Sequence, residues 1–287
     1  MEYTGKALLP SSYRAASGPL GSPPGLARRP KWRSFICAVP NSAPHLILSD
    51  IHANLEALEA VLAAAAGRYG RILCLGDFVG YGADPNAVVE WAREHVTVSI
   101  RGNHDRAGIV SDAASPDLID TFSPAARAST QWTRDALTAD NSRFLERLPR
   151  GPLPYEGFDL IHGSPADEDE YLVTLQDVEP VRHYLGAQLT FFGHTHRQGG
   201  FLLARRASAY LNPERRLDIE PDYHYLVNPG SVGQPRDGDP RAAYAFYWPA
   251  ERAVEYCRAG YDIDRAAAKI RATGLPEFLA ARLFEGT

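Results

Sequence analysis

The 287-residue chain has few thiols: Cys37, Cys74 and Cys257, with no CxxC pair. An odd, widely spaced set cannot build a disulfide framework and points to a reducing compartment. It also leaves a Cys-type structural zinc without ligands. Long apolar runs are missing as well: nothing approaches 18 consecutive hydrophobic residues, so the sequence offers no transmembrane helix. The apolar core of a secretory signal is absent from the first residues. The expectation is a cytoplasmic protein without membrane association. No charge sign dominates, the formal net charge being −5, with 45% hydrophobic and 23% charged residues, ordinary for a globular domain. Charge is unevenly placed. Residues 1–40 carry six basic groups and one acid, leaving 24 basic against 34 acidic groups beyond them. An acidic body repels long polyanions, so long nucleic acid is not the expected partner, whereas a small phosphorylated substrate fits.

Fifteen of the first 40 residues are Pro, Gly or Ser, and no apolar periodicity runs through them. Residues 1–43 therefore read as a disordered basic tail and 44–287 as the folded domain. From Pro44 the chain alternates strand and helix patterns. Strands are expected at His45–Ser49, Arg71–Leu75, Val96–Ile100, Phe158–Ile161 and Leu189–Phe192, each a short apolar run. Helices are expected at Leu55–Ala66, at Pro85–Glu94 with proline in its first turn, and across 123–147. Beyond Gly200 the pattern is β-rich: Phe201–Leu203, Tyr225–Asn228, Ala242–Trp248 and Ala253–Tyr256. Residues 262–284 close the chain as helix, interrupted at Gly274 and Pro276. The pattern implies two sheets packed face to face with helices outside.

The apolar strands end in polar groups. HLILS runs into Asp50-Ile51-His52, RILCL into Gly76-Asp77, and VTVSI into Arg101-Gly102-Asn103-His104-Asp105. FDLI runs into His162 and LTFF into Gly193-His194-Thr195-His196. In a largely parallel sheet these positions share the carboxyl edge, where ligands bind. Asp50 and His52 are two apart, so extended backbone would send both to one side, and His194 and His196 repeat that spacing. Asp50, His52, Asp77, Asn103, His162, His194 and His196 offer carboxylate, imidazole and amide oxygen, donors suited to Mn, Fe, Zn or a similar divalent ion. They are too many for one ion and about right for two sharing a carboxylate.

In this order the motifs resemble the calcineurin-like metallophosphoesterase superfamily, and the phrases SDIHANLEAL, LGDFVGYG, RGNHD, HGSP and NPGSVGQPRDGDPRAAYAF resemble its compact bacterial phosphodiesterase-like branch. The resemblance implies an α/β fold, a four-layer α/β/β/α sandwich of two mixed β-sheets flanked by helices. It implies two divalent metal ions, Mn first, with Fe, Zn, Ni or Co as alternatives. Asp50, His52, Asp77 and His196 would hold one ion, and Asp77, Asn103, His162 and His194 the other. His104 resembles the family's catalytic histidine, protonating the leaving oxygen or stabilising phosphoryl charge. Asp105 is expected to orient that imidazole. Arg101 matches the arginine that grips phosphate in the Ser/Thr phosphatase branch. The implied activity is phosphate-ester hydrolysis by metal-activated water, first a phosphodiesterase on a small substrate such as a nucleotide. Alternatives are a phosphomonoesterase or phosphoprotein phosphatase, a dinucleoside polyphosphate hydrolase, and a binding scaffold without turnover.

Outside the metal motifs, Asn54 reads as a helix N-cap before Leu55. Asn228-Pro229-Gly230-Ser231 follows a strand and can return to the rim of the site. Arg236 can meet substrate phosphate and Tyr81 can stack on a ring. The acidic stretch Asp167–Glu170 reads as a solvated loop. His45, His95, His183 and His224 match no motif.

Overall fold

In the computed structural model, residues 43–109, 119, 121–205, 207–213 and 216–287 are described, all in one compact unit, Ile36–Thr287. The expected basic tail lies, apart from its last residue, outside them. The apolar run His45–Leu48 forms β1 and Arg71–Cys74 forms β2 parallel to it. Between them Leu55–Ala65 is helix α1, opened by the Asn54 side chain, which accepts from the Ala57 N–H at 3.1 Å. Helix α2, Pro85–His95, has its proline at the first turn, where no amide partner is lost. The expected strand at Val96–Ile100 is only Val98–Ser99, β3. Its first residue is spent closing α2, the Val96 N–H donating to Ala92 O.

Helix α3, Asn103–Gly108, begins inside the RGNHD phrase, where no helix was expected. Then come α4 (Pro124–Ala136), capped by Ser123, and α5 (Ala139–Glu146), capped by Thr138. Strands β4 (Leu153–Tyr155) and β5 (Phe158–Leu160) form a hairpin. A short helix α6 (Leu175–Val178) and a 3₁₀ turn at Arg182–Tyr184 precede β6 (Leu189–Phe191). The β-rich part supplies β7 (Gly199–Leu203), β8 (Ser208–Tyr210), β9 (Leu217–Asp218), β10 (His224–Asn228), β11 (Ala242–Trp248) and β12 (Ala253–Ala259). The chain closes with a helical hairpin, α7 (Ile263–Ala272) and α8 (Glu277–Glu285). β4, β8 and β9 escaped the sequence because they are short and two of them polar. Pro154 is tolerated in β4 because that strand is a sheet edge.

Two six-stranded mixed sheets result, β3-β2-β1-β11-β12-β9 and β4-β5-β6-β10-β7-β8, as the resemblance implied. Their inner faces share one apolar core: Ile47, Leu73, Ala245 and Val254 from the first sheet, Phe158, Leu160, Phe191 and Val227 from the second. Helix α1 covers β11 and β12. Ile161, Phe192, Phe201 and Leu226 pack under Leu172, Val178 and Val181 on the outside of the second sheet. Among the described residues no helix is long and apolar enough to cross a membrane.

Candidate metal centre

The parallel strands β1, β2 and β3 of one sheet, and β5 and β6 of the other, all end at one place. That is where the polar motifs begin. Asp50, His52, Asp77, Asn103, His162, His194 and His196 are all at most 5% exposed. Ligand atoms of Asp50, His52, Asp77 and His196 lie within 4.8 Å of one another, as do those of Asp77, His162 and His194. Asp77 belongs to both groups. Its Oδ2 is 3.5 Å from His52 Nε2 and 3.4 Å from His162 Nε2, and it is buried without a hydrogen-bond partner. Asn103 Oδ1 joins the second group at 3.1 Å from His162 Nε2.

The hydrogen bonds around the imidazoles identify what this arrangement holds. A carbonyl only accepts, so a ring nitrogen facing one must carry the proton. His52 Nδ1 faces Val79 O at 2.9 Å, His162 Nδ1 faces Leu75 O at 2.7 Å and His196 Nδ1 faces Gln234 O at 2.7 Å. His194 Nε2 faces Asp169 O at 3.1 Å. In its neutral form each ring therefore turns a lone pair inward. His52 Nε2 and His196 Nε2 stand 3.0 Å apart, and both are acceptors, an arrangement that repels unless a cation lies between or beside them. Backbone carbonyls behind the outer nitrogens are the usual support of metal-bound imidazole. The donor set, oxygen and nitrogen without sulfur, fits divalent ions.

The electrostatics agree. Burial lowers His52, His194 (to about 3) and His196, keeping them in the unprotonated form a cation needs. Burial alone would raise Asp50 and Asp77, but neighbouring imidazoles outweigh it and hold both carboxyls below their ordinary range. At His162 burial is overcome by the Asp77 charge, which lifts it to about 10.

The backbone reaches this arrangement by a route the sequence did not suggest. Asp50 and His52 share a side, but not through extended backbone: their φ angles are +53° and +48°. Asp77 (+56°), His194 (+65°) and His196 (+58°) are likewise left-handed, a region non-glycine residues rarely occupy. The packing is tight enough to require glycine nearby. A Cβ on Gly102 would lie 2.6 Å from Asp77 Cγ, and one on Gly193 2.9 Å from Asp50 Oδ2. The segment after β10 returns as expected. Ser231 Oγ donates to Asp50 O at 2.8 Å, Gly233 N to Asp50 O at 3.0 Å, and Gln234 supplies the carbonyl behind His196. Asn54, besides capping α1, donates to Gly233 O at 2.8 Å.

Three expectations are corrected. Asp105 does not touch the His104 imidazole. Its carboxylate accepts four backbone N–H groups: Asp77 at 2.7 Å, Phe78 at 2.8 Å, Gly102 at 3.0 Å and Val79 at 3.3 Å. Burial and the Asp77 charge push this carboxyl up to about 7, against those donors. Arg101 is not presented to a phosphate. It forms a two-point ion pair with Glu168, at 3.1 and 2.9 Å. The acidic stretch is not solvated at its centre. Glu168 is buried, takes Arg106 as well as Arg101, and so fixes the loop whose Asp169 carbonyl supports His194.

His104 has its ring against Tyr81 (4.5 Å between centroids), Phe122 (4.8 Å) and His52 (5.0 Å). Burial lowers it to about 4, so it is a neutral imidazole at pH 7. It opens with Tyr81, Phe122, Tyr171, Arg236 and Arg282 onto a cavity of about 740 Å³. Tyr81 and Arg236 were singled out in the sequence; Phe122, Tyr171 and Arg282 were not. Tyr171 stacks on the His194 ring at 3.9 Å. The non-motif His45 pairs instead with Glu156 at 3.0 Å.

Comparison with known proteins places this geometry. The family described as the calcineurin-like phosphoesterase superfamily domain matches residues 44–248. An uncharacterized protein of Methanocaldococcus jannaschii is 36% identical over 245 residues, 84% of this chain and 97% of its own. The crystal structure of a metallophosphoesterase from Sphaerobacter thermophilus is similar at 38% identity and a TM-score of 0.75, over 86% of this chain and 100% of that one. A hypothetical protein of Pyrococcus horikoshii shares the fold at 21% identity and a TM-score of 0.69, over 85% and 99% of the two chains.

Proposed function

The chain belongs to the calcineurin-like phosphoesterase superfamily, and from that premise we propose that it hydrolyses a phosphate ester of a small substrate at a pair of divalent cations, with a phosphodiester as the preferred class and manganese as the first metal. The observation that carries the reading is Asp77 Oδ2, a buried carboxylate oxygen without a hydrogen bond that lies between His52 and His162. It is the one atom both ligand groups need. Asp50, His52 and His196 complete one group, and Asn103, His162 and His194 the other. Bound there, divalent cations lower the pKa of water and draw charge from phosphoryl oxygens.

The remaining steps belong to the chain's own side chains. The four carbonyls behind the imidazoles hold each ring in one tautomer, so no reorientation is needed when substrate arrives. His104, neutral and facing the cavity, donates a hydrogen bond toward the phosphoryl or leaving oxygen. Arg236, not Arg101, faces the cavity as the phosphate-directed guanidinium. Its N–H donates to His196 O at 3.1 Å, which ties it to the cluster, and its guanidinium carbon lies 5.5 Å from the Tyr81 ring centre. Because the Arg101 guanidinium is engaged with Glu168, the feature that favoured a phosphoprotein phosphatase no longer supports that reading, and the diester reading stands first.

The test uses chelator-stripped protein reloaded with Mn²⁺. Faster turnover of bis-p-nitrophenyl phosphate than of p-nitrophenyl phosphate is expected. A preference for the monoester would move the assignment to a phosphatase. Unchanged hydrolysis and metal content in Asp77→Asn would refute the shared-ligand site.

A further inference from the structure

The cavity beside the cluster has a second source of positive charge that the family-matched span does not contain. The match ends at residue 248, whereas Arg282 lies on α8 of the closing hairpin and reaches the same cavity as Arg236 and His104. The hairpin is seated on the cavity wall: Ala266, Ala267, Ile270, Leu279, Ala280 and Leu283 form one apolar cluster with Tyr81 and Ala126.

The charge balance of the cavity is unusual. Three arginines line it, and Arg106 takes both nearby acidic side chains, Glu168 and Asp169, the latter at 2.5 Å. Arg236 donates to Gln234 Oε1 at 2.9 Å, and its Nε is buried without a partner. Arg282 donates through Nε to a terminal carboxylate oxygen of Thr287 and lies 4.9 Å from the Phe278 ring centre. Neither guanidinium is paired with a side-chain carboxylate among the described residues. They are close enough to oppose one another. Burial first, and then the Arg236 charge, lower Arg282 to about 10. Two half-buried guanidinium groups facing the same space repel one another, and the carboxylate that shares the cavity, Asp169, is engaged by Arg106, so an anion joining the two would relieve that repulsion. Arg236 acts electrostatically on His104 and His196 as well as on Tyr81 and Tyr171, whereas Arg282 is coupled to the two tyrosines. Arg236 is therefore the inner cation and Arg282 the outer one.

We infer that Arg236 and Arg282 form an anion subsite next to the cluster, and that the substrate carries a phosphate in addition to the one that is cut, attached to a ring that rests among Tyr81, Phe122 and Tyr171. This deepens the proposed activity and rests on it for the word substrate; the subsite itself is testable by binding alone. Aromatic faces with paired guanidinium groups suit a nucleoside bearing two phosphates.

The experiment is calorimetric binding of thymidine 5′-monophosphate and thymidine 3′,5′-bisphosphate to the full Mn²⁺-loaded chain. The wild type is expected to favour the bisphosphate by about tenfold or more, a preference that shrinks as salt is raised. Arg282→Ala should bring the two affinities within about twofold, and Arg282→Lys should restore part of the preference. Arg271→Ala, on the same hairpin but paired with Glu277 outside the cavity, should keep it whole. Equal affinities in the wild type, or a loss in Arg282→Ala that is the same for both ligands, would overturn the subsite. If no phosphate ester is hydrolysed but the Arg282-dependent preference persists, the subsite stands and the proposed activity falls.

Discussion

Asp105 offers the sharpest test of how this centre is built. If it oriented His104, Asp105→Asn would lower turnover and leave the fold intact. The hydrogen bonds say otherwise. Oδ2 accepts from Asp77 and Gly102, and Oδ1 from Phe78 and Val79. An asparagine keeps one oxygen, so whichever way the amide turns, two backbone N–H groups face an NH₂ and lose their acceptor. A buried donor left unsatisfied costs about 1–3 kcal/mol. Two of them give about 2–6 kcal/mol, and relief from burying a full carboxylate offsets part, leaving about 3 kcal/mol. For a domain of this size that corresponds to a fall of about 6–12 °C in thermal midpoint. The assay is thermal unfolding of wild type and variant, each with excess Mn²⁺ and each with chelator, beside turnover of the diester. The expected result is a lowered midpoint under both conditions. A midpoint within about 1 °C of wild type, with turnover reduced, would refute this account and return Asp105 to the role of orienting His104.

The backbone N–H of His104 donates to Asp77 Oδ1 at 2.8 Å, a bond that alanine keeps, so His104→Ala should retain metal content by elemental analysis while turnover falls by about 10²–10⁴; loss of metal would make the imidazole a ligand. Arg101→Ala and Arg236→Ala should separate. The first removes the two-point partner of buried Glu168, leaving it Arg106, and should lower the unfolding midpoint, while the second should raise KM for a phosphate ester with little change in midpoint; the reverse pattern would refute both assignments. Lys269 Nζ lies 2.6 Å from Glu56 Oε1 and 2.7 Å from Asp84 Oδ2. Burial would lower its pKa, but the two carboxylates outweigh it and raise it above 10.5. That stabilisation is present at lower pH and is lost as pH rises through the raised value. Urea midpoints of wild type and Lys269→Met should differ at about pH 8 and converge as pH rises through that raised value; a constant difference would show that packing, not charge, is at stake.

Much of this arrangement was legible because buried parallel strands are short apolar runs, and the polar residues at their carboxyl ends are displayed along a shared edge. HLIL, RILC, FDL and LTF became strands within a residue of expectation, and all seven donors converge. What the sequence hid are choices of partner. Arg101 stands in a phosphate-gripping motif, but whether a guanidinium grips phosphate or Glu168 depends on a loop 67 residues away. Asp105 is adjacent in sequence to His104, yet inside α3 consecutive side chains point about 100° apart, so adjacency argued against contact. Arg282 lay in an amphipathic helix with nothing to mark it, since only the docking of the closing hairpin brings it to the cavity.

The left-handed ligands show how the two parts of the problem meet. Asp50, His52, Asp77, His194 and His196 each occupy a backbone region that costs on the order of 1 kcal/mol or more. Strain of that kind persists only where surrounding bonds over-determine it. Here the Asp50 N–H donates to Gly76 O at 3.0 Å and the His52 N–H to Asp77 O at 2.9 Å. The Asp77 N–H is held by Asp105 at 2.7 Å and the His194 N–H by the Asp50 carboxylate at 3.2 Å. The bonds run from one strand end to the next, β1 to β2, β2 to α3, β6 back to β1. Four of these five backbones are thus fixed by a neighbouring motif's loop. That interlocking is why inward-facing lone pairs and a partnerless Asp77 oxygen can survive in a buried place: the side chains are not free to turn away and satisfy themselves.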